Sequence, residues 1–325
     1  MTSTRQLIQM IRSHAAGDGM RFLSVAESIA EDAGKAGRTR MASDLMTVIE
    51  AARASSIAES TAPIPIASPR GELASLVKAS YPETNLSDLV LAPDLHRRLT
   101  RAVREHRERS LLAERNLSPR RKFLFSGPPG TGKGMSAAAI AGELGLPLFT
   151  ILLDGVINKF MGETASKLRL VFDAMTASRG VYFFDEVDAL ASRRTSDNDI
   201  GEARRMLNSF LQFLEDDKSN SVIVAATNHR SLLDPALFRR FDTAFIYQKP
   251  SKQEARRVLA NGLLGFDLRS IDFTQIDDAV GDLSQADLVS AAGDAARDAV
   301  LDNCARLTTD LLIQALNDRR SVHLD

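Results

Sequence analysis

Cysteine is nearly absent from this 325-residue chain: Cys304 stands alone. One thiol excludes an intrachain disulfide framework and fits a reducing cytoplasm, where a buried structural role is expected of it. Long apolar runs are missing too. No stretch approaches the roughly 18 residues that a membrane helix needs, and the N-terminus carries no hydrophobic signal region. Nor does one sign of charge dominate. With 41 Lys and Arg against 42 Asp and Glu the net charge is −1, which gives no global reason to expect nucleic acid or an acidic membrane as partner. The remaining composition, 44% hydrophobic and 26% charged, predicts a soluble, cytoplasmic protein long enough for about two domains.

Against that background one segment carries specific chemistry. Gly127, Pro128, Pro129, Gly130, Thr131, Gly132, Lys133 and Gly134 fit the phosphate-loop pattern G-x-x-x-x-G-K-[ST] up to its last position, where glycine replaces the hydroxyl residue. An apolar strand candidate, Phe123 to Phe125, precedes the loop, and an Ala-rich helix candidate follows from about Met135. In that context backbone N–H groups curl around a phosphate, the helix N-terminus adds positive potential, and Lys133 reaches the β- and γ-phosphates. The missing hydroxyl is the one that touches magnesium. A water or a neighbouring acid takes its place, or hydrolysis is impaired.

Apolar stripes at helical spacing fill residues 3–54, and residues 55–70 are rich in proline and small residues, the composition of a linker. Strand candidates at 123–126, 148–153, 181–184, 221–226 and 244–247 alternate with helix candidates at about 132–145, 164–178 and 201–216. Such alternation predicts an α/β fold, a parallel sheet covered on both faces with its ligand at the carboxyl ends of the strands. Beyond Pro250 only helical periodicity remains. The expected organisation is therefore an N-terminal helical domain (1–54), a linker (55–84), a large α/β domain (85–249) and an all-α domain (250–325).

The strand candidate at 181–184 ends in Asp185 and Glu186. Adjacent acids after a strand are usually a solvated turn. Following a phosphate loop in the same α/β unit, they read instead as a magnesium-holding Asp185 and a Glu186 that orients and deprotonates the attacking water. The strand at 221–226 is followed by Asn228, whose amide is placed to bond the γ-phosphate or that water, though a turn asparagine is the plain alternative. Arg239 and Arg240 precede the last strand, and a guanidinium suits a developing phosphoryl charge, although surface arginines are common.

Together these residues resemble the protein-remodelling branch of the AAA+ ATPases, over about residues 85–325. The resemblance implies a P-loop NTPase sheet with a helical lid, binding ATP and Mg2+. It makes Gly127 to Lys133 the Walker A loop, Asp185 and Glu186 the Walker B pair, Asn228 the first sensor, and Arg239 with Arg240 the fingers reaching a neighbour's ATP. The run Asn158 to Thr164 looks like the family's first pore loop, in which Lys159, Phe160 and Met161 would grip a polypeptide; a core role for Phe160 is the alternative. Adjacent finger arginines are as in the katanin, spastin and fidgetin group, and Leu283 to Leu288 looks like the start of the lid helix that packs near the nucleotide, without a second-sensor arginine.

By that resemblance the chain is a homo-oligomer, a hexameric ring that pulls a protein client through its pore. The N-terminal helices would select the client. Bacterial ATPases of this size also resemble remodellers of HORMA-domain proteins in anti-phage defence and the ATPase partner of a subtilisin-like protease. Gly134 keeps a second class open, a nucleotide-gated scaffold with little turnover. A DNA-handling ATPase is the third. The basic run from Arg97 to Lys122 could suggest nucleic acid, but Glu105, Glu108 and Glu114 interleave with it at helical spacing and no aromatic lies within it, so a solvated or intersubunit face is expected.

Overall fold

Val181-Tyr182-Phe183-Phe184 and Val222 to Ala226 are apolar at every position, so in an extended chain both of their faces need cover. The computed structural model supplies it. It describes residues 25, 26, 28–30, 32–34, 42, 43, 45–48, 69, 71–156, 161–190, 197–229, 238–302 and 306–322. Lys159, Phe160, Cys304 and nearly all of the 55–70 segment lie outside the described residues.

The chain divides into two compact units, Met1–Ile66 and Ala67–Asp325. In the first, the described residues are helical, and Ala26 and Ala30 are buried with Leu45 against them. The second contains a six-stranded sheet of β1 (Val77–Ser80), β2 (Lys122–Ser126), β3 (Leu148–Ile151), β4 (Val181–Phe184), β5 (Val222–Thr227) and β6 (Thr243–Ile246), in the order β1-β3-β4-β5-β2-β6. All neighbours run parallel except β1, which pairs antiparallel with β3, Val77 opposite Ile151. That edge strand falls inside the expected 55–84 linker. Four residues, of which only Val77 is buried, leave little periodic signal, yet Leu76 and Val77 enter the sheet's core. Beyond it Pro82 to Thr84 crosses the helix that follows the phosphate loop, so closely that a Cβ on Gly142 would lie 2.2 Å from the Thr84 carbonyl.

The alternation of the strands sorts two cores. Phe123, Phe125, Val181, Phe183, Val222 and Val224 face α1 (Pro93–Arg107) and α2 (Lys133–Leu144). Tyr182, Phe184, Ile223 and Ala225 face α3 (Met161–Ala177) and α4 (Asp197–Asp216), where Phe172, Phe184 and Phe210 form an aromatic cluster. Helix α3 begins at Met161, so part of the expected pore-loop run forms its first turn.

After β6 the strands stop, and α5 (Lys252–Gly262), α6 (Phe273–Val280), α7 (Gln285–Asp302) and α8 (Thr309–Ser321) gather around a third core. Side chains written into the sequence start these helices. Ser251 Oγ accepts from Glu254 N–H while the Ser251 N–H donates to Glu254, and Asp272 and Thr308 cap α6 and α8. Such caps contribute about 1 kcal/mol each. The expected large domain, with its two cores, and the helical lid, with the third, thus fall in one unit, and Val90 of the segment before α1 packs within the lid's core.

Candidate functional site

Register places the chemistry. Ser126 lies opposite Thr227 on β5, and Phe184 opposite Ala225, so β5 separates β2 from β4 and all three end at the same edge. The loop after β2, the acids after β4 and Asn228 after β5 therefore meet there. A cavity of about 740 Å³ opens at this point. Gly132, Lys133, Gly134, Asp185, Glu186 and Asn228 line one part of it; Leu89, Val90, Val258 and Val289 contribute an apolar part.

The phosphate loop is held from two directions. A Cβ on Gly127 would lie 2.3 Å from the Tyr247 carbonyl, and at Gly130, with φ at +71°, it would press into Ser284 of the lid. Only glycine fits either place. Thr131 Oγ1 donates to the Pro128 carbonyl at 2.8 Å, turning its hydroxyl into the loop. Lys133 is buried, and its ammonium donates to the carbonyls of Gly127 at 2.8 Å and Pro128 at 2.7 Å. Burial lowers its pKa, partly offset by the negative charges of Asp185, Asp188 and Glu186. Met135, more than half exposed, extends the lining from the first turn of α2.

Asp185 is reached by solvent through the cavity, yet the surrounding protein withholds enough hydration to raise its pKa, against the pull of the Glu186 N–H and Lys133. That N–H donates to Asp185 Oδ1 at 3.0 Å, which turns the backbone of Glu186 into the left-handed region at φ +52°. A non-glycine residue there is strained, and strain of this kind gathers at functional positions. Three residues past Asp185, Asp188 is buried with Oδ1 unpartnered. The sequence reading passed over it. Its signal was the third acid in Asp185-Glu186-Val187-Asp188, and an orphaned buried carboxylate oxygen implies an ion or water that the protein atoms do not supply.

The lid closes the cavity. Ser284 and Asp287 form a reciprocal cap at the start of α7, with Ser284 Oγ donating to Asp287 at 2.6 Å. The Ala286 N–H donates to the Gly130 carbonyl at 3.0 Å, seating α7 directly on the phosphate loop. Gln285 Nε2 donates to the Val90 carbonyl at 2.7 Å, tying α7 to the segment before α1. Gln285 and Ala286 come from the Leu283–Leu288 segment expected near the nucleotide, whereas Asp88 to Val90, Val258 and Asn261 were not foreseen as wall residues. The apolar run Leu89 to Ala92 ahead of Pro93 was the available sign.

Arg239 and Arg240 do not line the cavity; both are exposed, and Arg240 is ion-paired with Glu215 at the end of α4. Of the expected pore residues, Lys159 and Phe160 lie outside the described residues, and Met161 opens α3. The basic run is laced with acids: Arg104 pairs with Glu108 at 2.8 Å, Arg107 with Glu143 at 2.5 Å and Arg120 with Glu105 at 2.5 Å. Among the described residues no group of three His, Cys, Asp or Glu is placed to hold a metal ion, and no helix is long and apolar enough to cross a membrane. Magnesium arriving with a nucleotide would meet Asp185, with Asp188 behind it, and no loop hydroxyl.

Comparison with known proteins agrees with this geometry. The model of the family "ATPase family associated with various cellular activities (AAA)" matches residues 123–248, from β2 to just past β6. "Uncharacterized AAA family ATPase y4kL" of Sinorhizobium fredii is 37% identical over 240 residues, 73% of this chain and 72% of that one. Proteasome-activating nucleotidase 2 of Haloferax volcanii is 33% identical over 222 residues, and the match spans 64% of this chain and 54% of the relative. ATP-dependent zinc metalloprotease FtsH 3 of Sphaerobacter thermophilus is 33% identical over 195 residues, 58% of this chain but only 40% of that protein. The crystal structure of the FIGL-1 AAA domain superposes with a TM-score of 0.59 at 20% identity, covering 77% of this chain and 90% of that domain, a likeness of fold alone. Since the matched family region is the sheet that carries the cavity, and a relative shares more than a third of its residues over most of both lengths, this chain belongs to the AAA family of ATPases.

Proposed function

We propose that the chain works as a cytoplasmic, ring-forming ATPase, most simply a hexamer, which unfolds or disassembles a protein client by drawing it through a central pore. The observation that carries the proposal is the position of Arg239 and Arg240, outside the cavity of their own subunit while Lys133, Asp185, Glu186 and Asn228 line it. Among the described residues no guanidinium lines the cavity, and a neighbour completes such a site. The matched relatives named for proteasome activation and proteolysis support a protein client. By resemblance that client is a HORMA-type or other anti-phage defence protein, or one handed to a partner protease.

ATP supplies the reacting γ-phosphoryl group; Asp185 would hold Mg2+, which when bound would offset the charge of the phosphates. Lys133 leaves the loop carbonyls of Gly127 and Pro128 for the phosphate oxygens, and the freed loop turns its N–H groups to the same charge. Asn228 at the tip of β5 orients the attacking water, and Glu186 accepts its proton. Arg239 or Arg240 of the next subunit meets the charge that develops as the leaving oxygen departs. Closure of the lid on Gly130 links this chemistry to movement of Phe160 against the client.

The test couples two readouts. Phe160→Ala is expected to hydrolyse ATP but fail to unfold client, and Glu186→Gln to bind ATP without turnover. A scaffold that ATP merely assembles, the reading favoured by Gly134, requires equal and negligible phosphate release from wild type and Glu186→Gln. ATPase stimulation by DNA and not by protein would move the chain to the DNA-handling class.

A further inference from the structure

Gly134 differs from the other loop glycines in having no structural need to be glycine. Gly130 and Gly132 have φ at +71° and +89°, and Gly127 is pressed against the Tyr247 carbonyl, whereas Gly134 has ordinary helical backbone in the first turn of α2. A Cβ there would meet only the Phe183 ring, at 3.7–3.8 Å, which is normal contact. The position has room for the hydroxyl residue that the loop pattern calls for, yet carries none.

Among the described residues no nearby hydroxyl takes its place. Thr131 Oγ1 is turned back onto Pro128, and Thr227 Oγ1 accepts from the His229 N–H. Ser136, two residues beyond Gly134, is fully buried, and neither it nor Ser126 lines the cavity. Ser290 does line it, but from the lid helix beside Val289. An ion brought in by the nucleotide thus has the carboxylate side of the cavity, its phosphates and water, the minimal set on which magnesium is commonly held.

We propose that Gly134 uncouples nucleotide capture from magnesium: the loop and Lys133 bind the triphosphate on their own, and the ion adds little to its affinity. The proposal rests on the ATP-site reading above. A ring built on such sites loads nucleotide ahead of the ion, and magnesium governs turnover without governing occupancy.

The test is equilibrium binding of a fluorescent ATP analogue to the full chain, in magnesium and in EDTA, for wild type, Gly134→Ala and Gly134→Ser. Gly134→Ala adds the Cβ without the hydroxyl and so controls for helix and packing. The quantity read is the ratio of the dissociation constant in EDTA to that in magnesium. Wild type and Gly134→Ala are expected to share one ratio, and Gly134→Ser to exceed it by about 10- to 100-fold, the range that a supporting group at a metal site commands. Equal ratios for Gly134→Ser and Gly134→Ala would overturn the proposal and leave the ATP site intact. Absence of binding by wild type in both buffers would overturn the two together, and if Gly134→Ser failed to fold, a wild-type ratio above about 100 would still refute the proposal.

Discussion

Lys133 shows how far a single residue's behaviour follows from its surroundings. Its charge is buried against two carbonyls, and desolvation lowers its pKa even with three carboxylates nearby. Phosphate binding needs the protonated form. ATP affinity is therefore expected to fall with rising pH at values below the usual lysine pKa of about 10.4, as the empty site loses its proton. Titrating affinity from pH 7 to 10 checks this, with Lys133→Arg, which keeps its charge, staying flat. Lys133→Ala removes charge-assisted bonds of about 1.5–3 kcal/mol, roughly a 10- to 100-fold loss of affinity at neutral pH. The residue's place beside the cavity was legible from its motif, since G-K at the end of a glycine loop between strand and helix sits at the carboxyl end of the sheet. The strained backbone of Glu186 and the orphaned oxygen of Asp188 were not, because both depend on what surrounds the strand tip.

Among elements, α1 is fastened to the start of β2 through adjacent side chains. Glu105 is ion-paired with Arg120, which holds its carboxyl below the ordinary range, and buried His106 bonds the Arg120 carbonyl at 2.7 Å through Nε2. Burial lowers the His106 pKa, so the folded chain takes up the proton later than the unfolded chain does. Stability is then full above the unfolded value of about 6.5 and is lost as pH falls from there through the folded value. Melting temperatures measured from pH 7.5 to 5 are expected to fall, and His106→Gln to flatten the part of the fall that lies below about pH 6.5. Glu105 adds a second loss of the same sign at more acid pH, below about 4.3. The central strands and their helices were readable because runs such as 181–184 have no polar face to confuse their period. Strand β1 was not, since four residues with one buried position do not outweigh the proline-rich stretch before them.

For the whole molecule, residues 67–325 hold the sheet, the lid, their three cores and the cavity. If the arginines act on a neighbour, turnover per chain must rise with protein concentration until rings are complete, and mixing inactive Glu186→Gln with inactive Arg239→Ala/Arg240→Ala chains must restore part of it. Phosphate release measured across a dilution series, with particle mass followed in parallel, tests this; a rate per chain independent of concentration would make the site complete in one subunit. The intrachain pair of Arg240 with Glu215 is exposed at both ends and holds the arginine weakly, so a neighbour can recruit it.

The sequence by itself determined the family resemblance, the α/β order, the phosphate loop and the acids that follow β4, because those signals are local: a glycine pattern, an apolar run, a terminal carboxylate. Tertiary structure decided what is made by distant segments meeting. It brought Val90 into the lid's core, seated Ala286 on the Gly130 carbonyl and tied Gln285 to the Val90 carbonyl 195 residues away, making one cavity from two cores. It also separated Gly134 from its neighbours in the loop. The pattern marks Gly134 as the departure, but only the contacts around each of the four glycines reveal that three are required by backbone or close approach and the fourth is not.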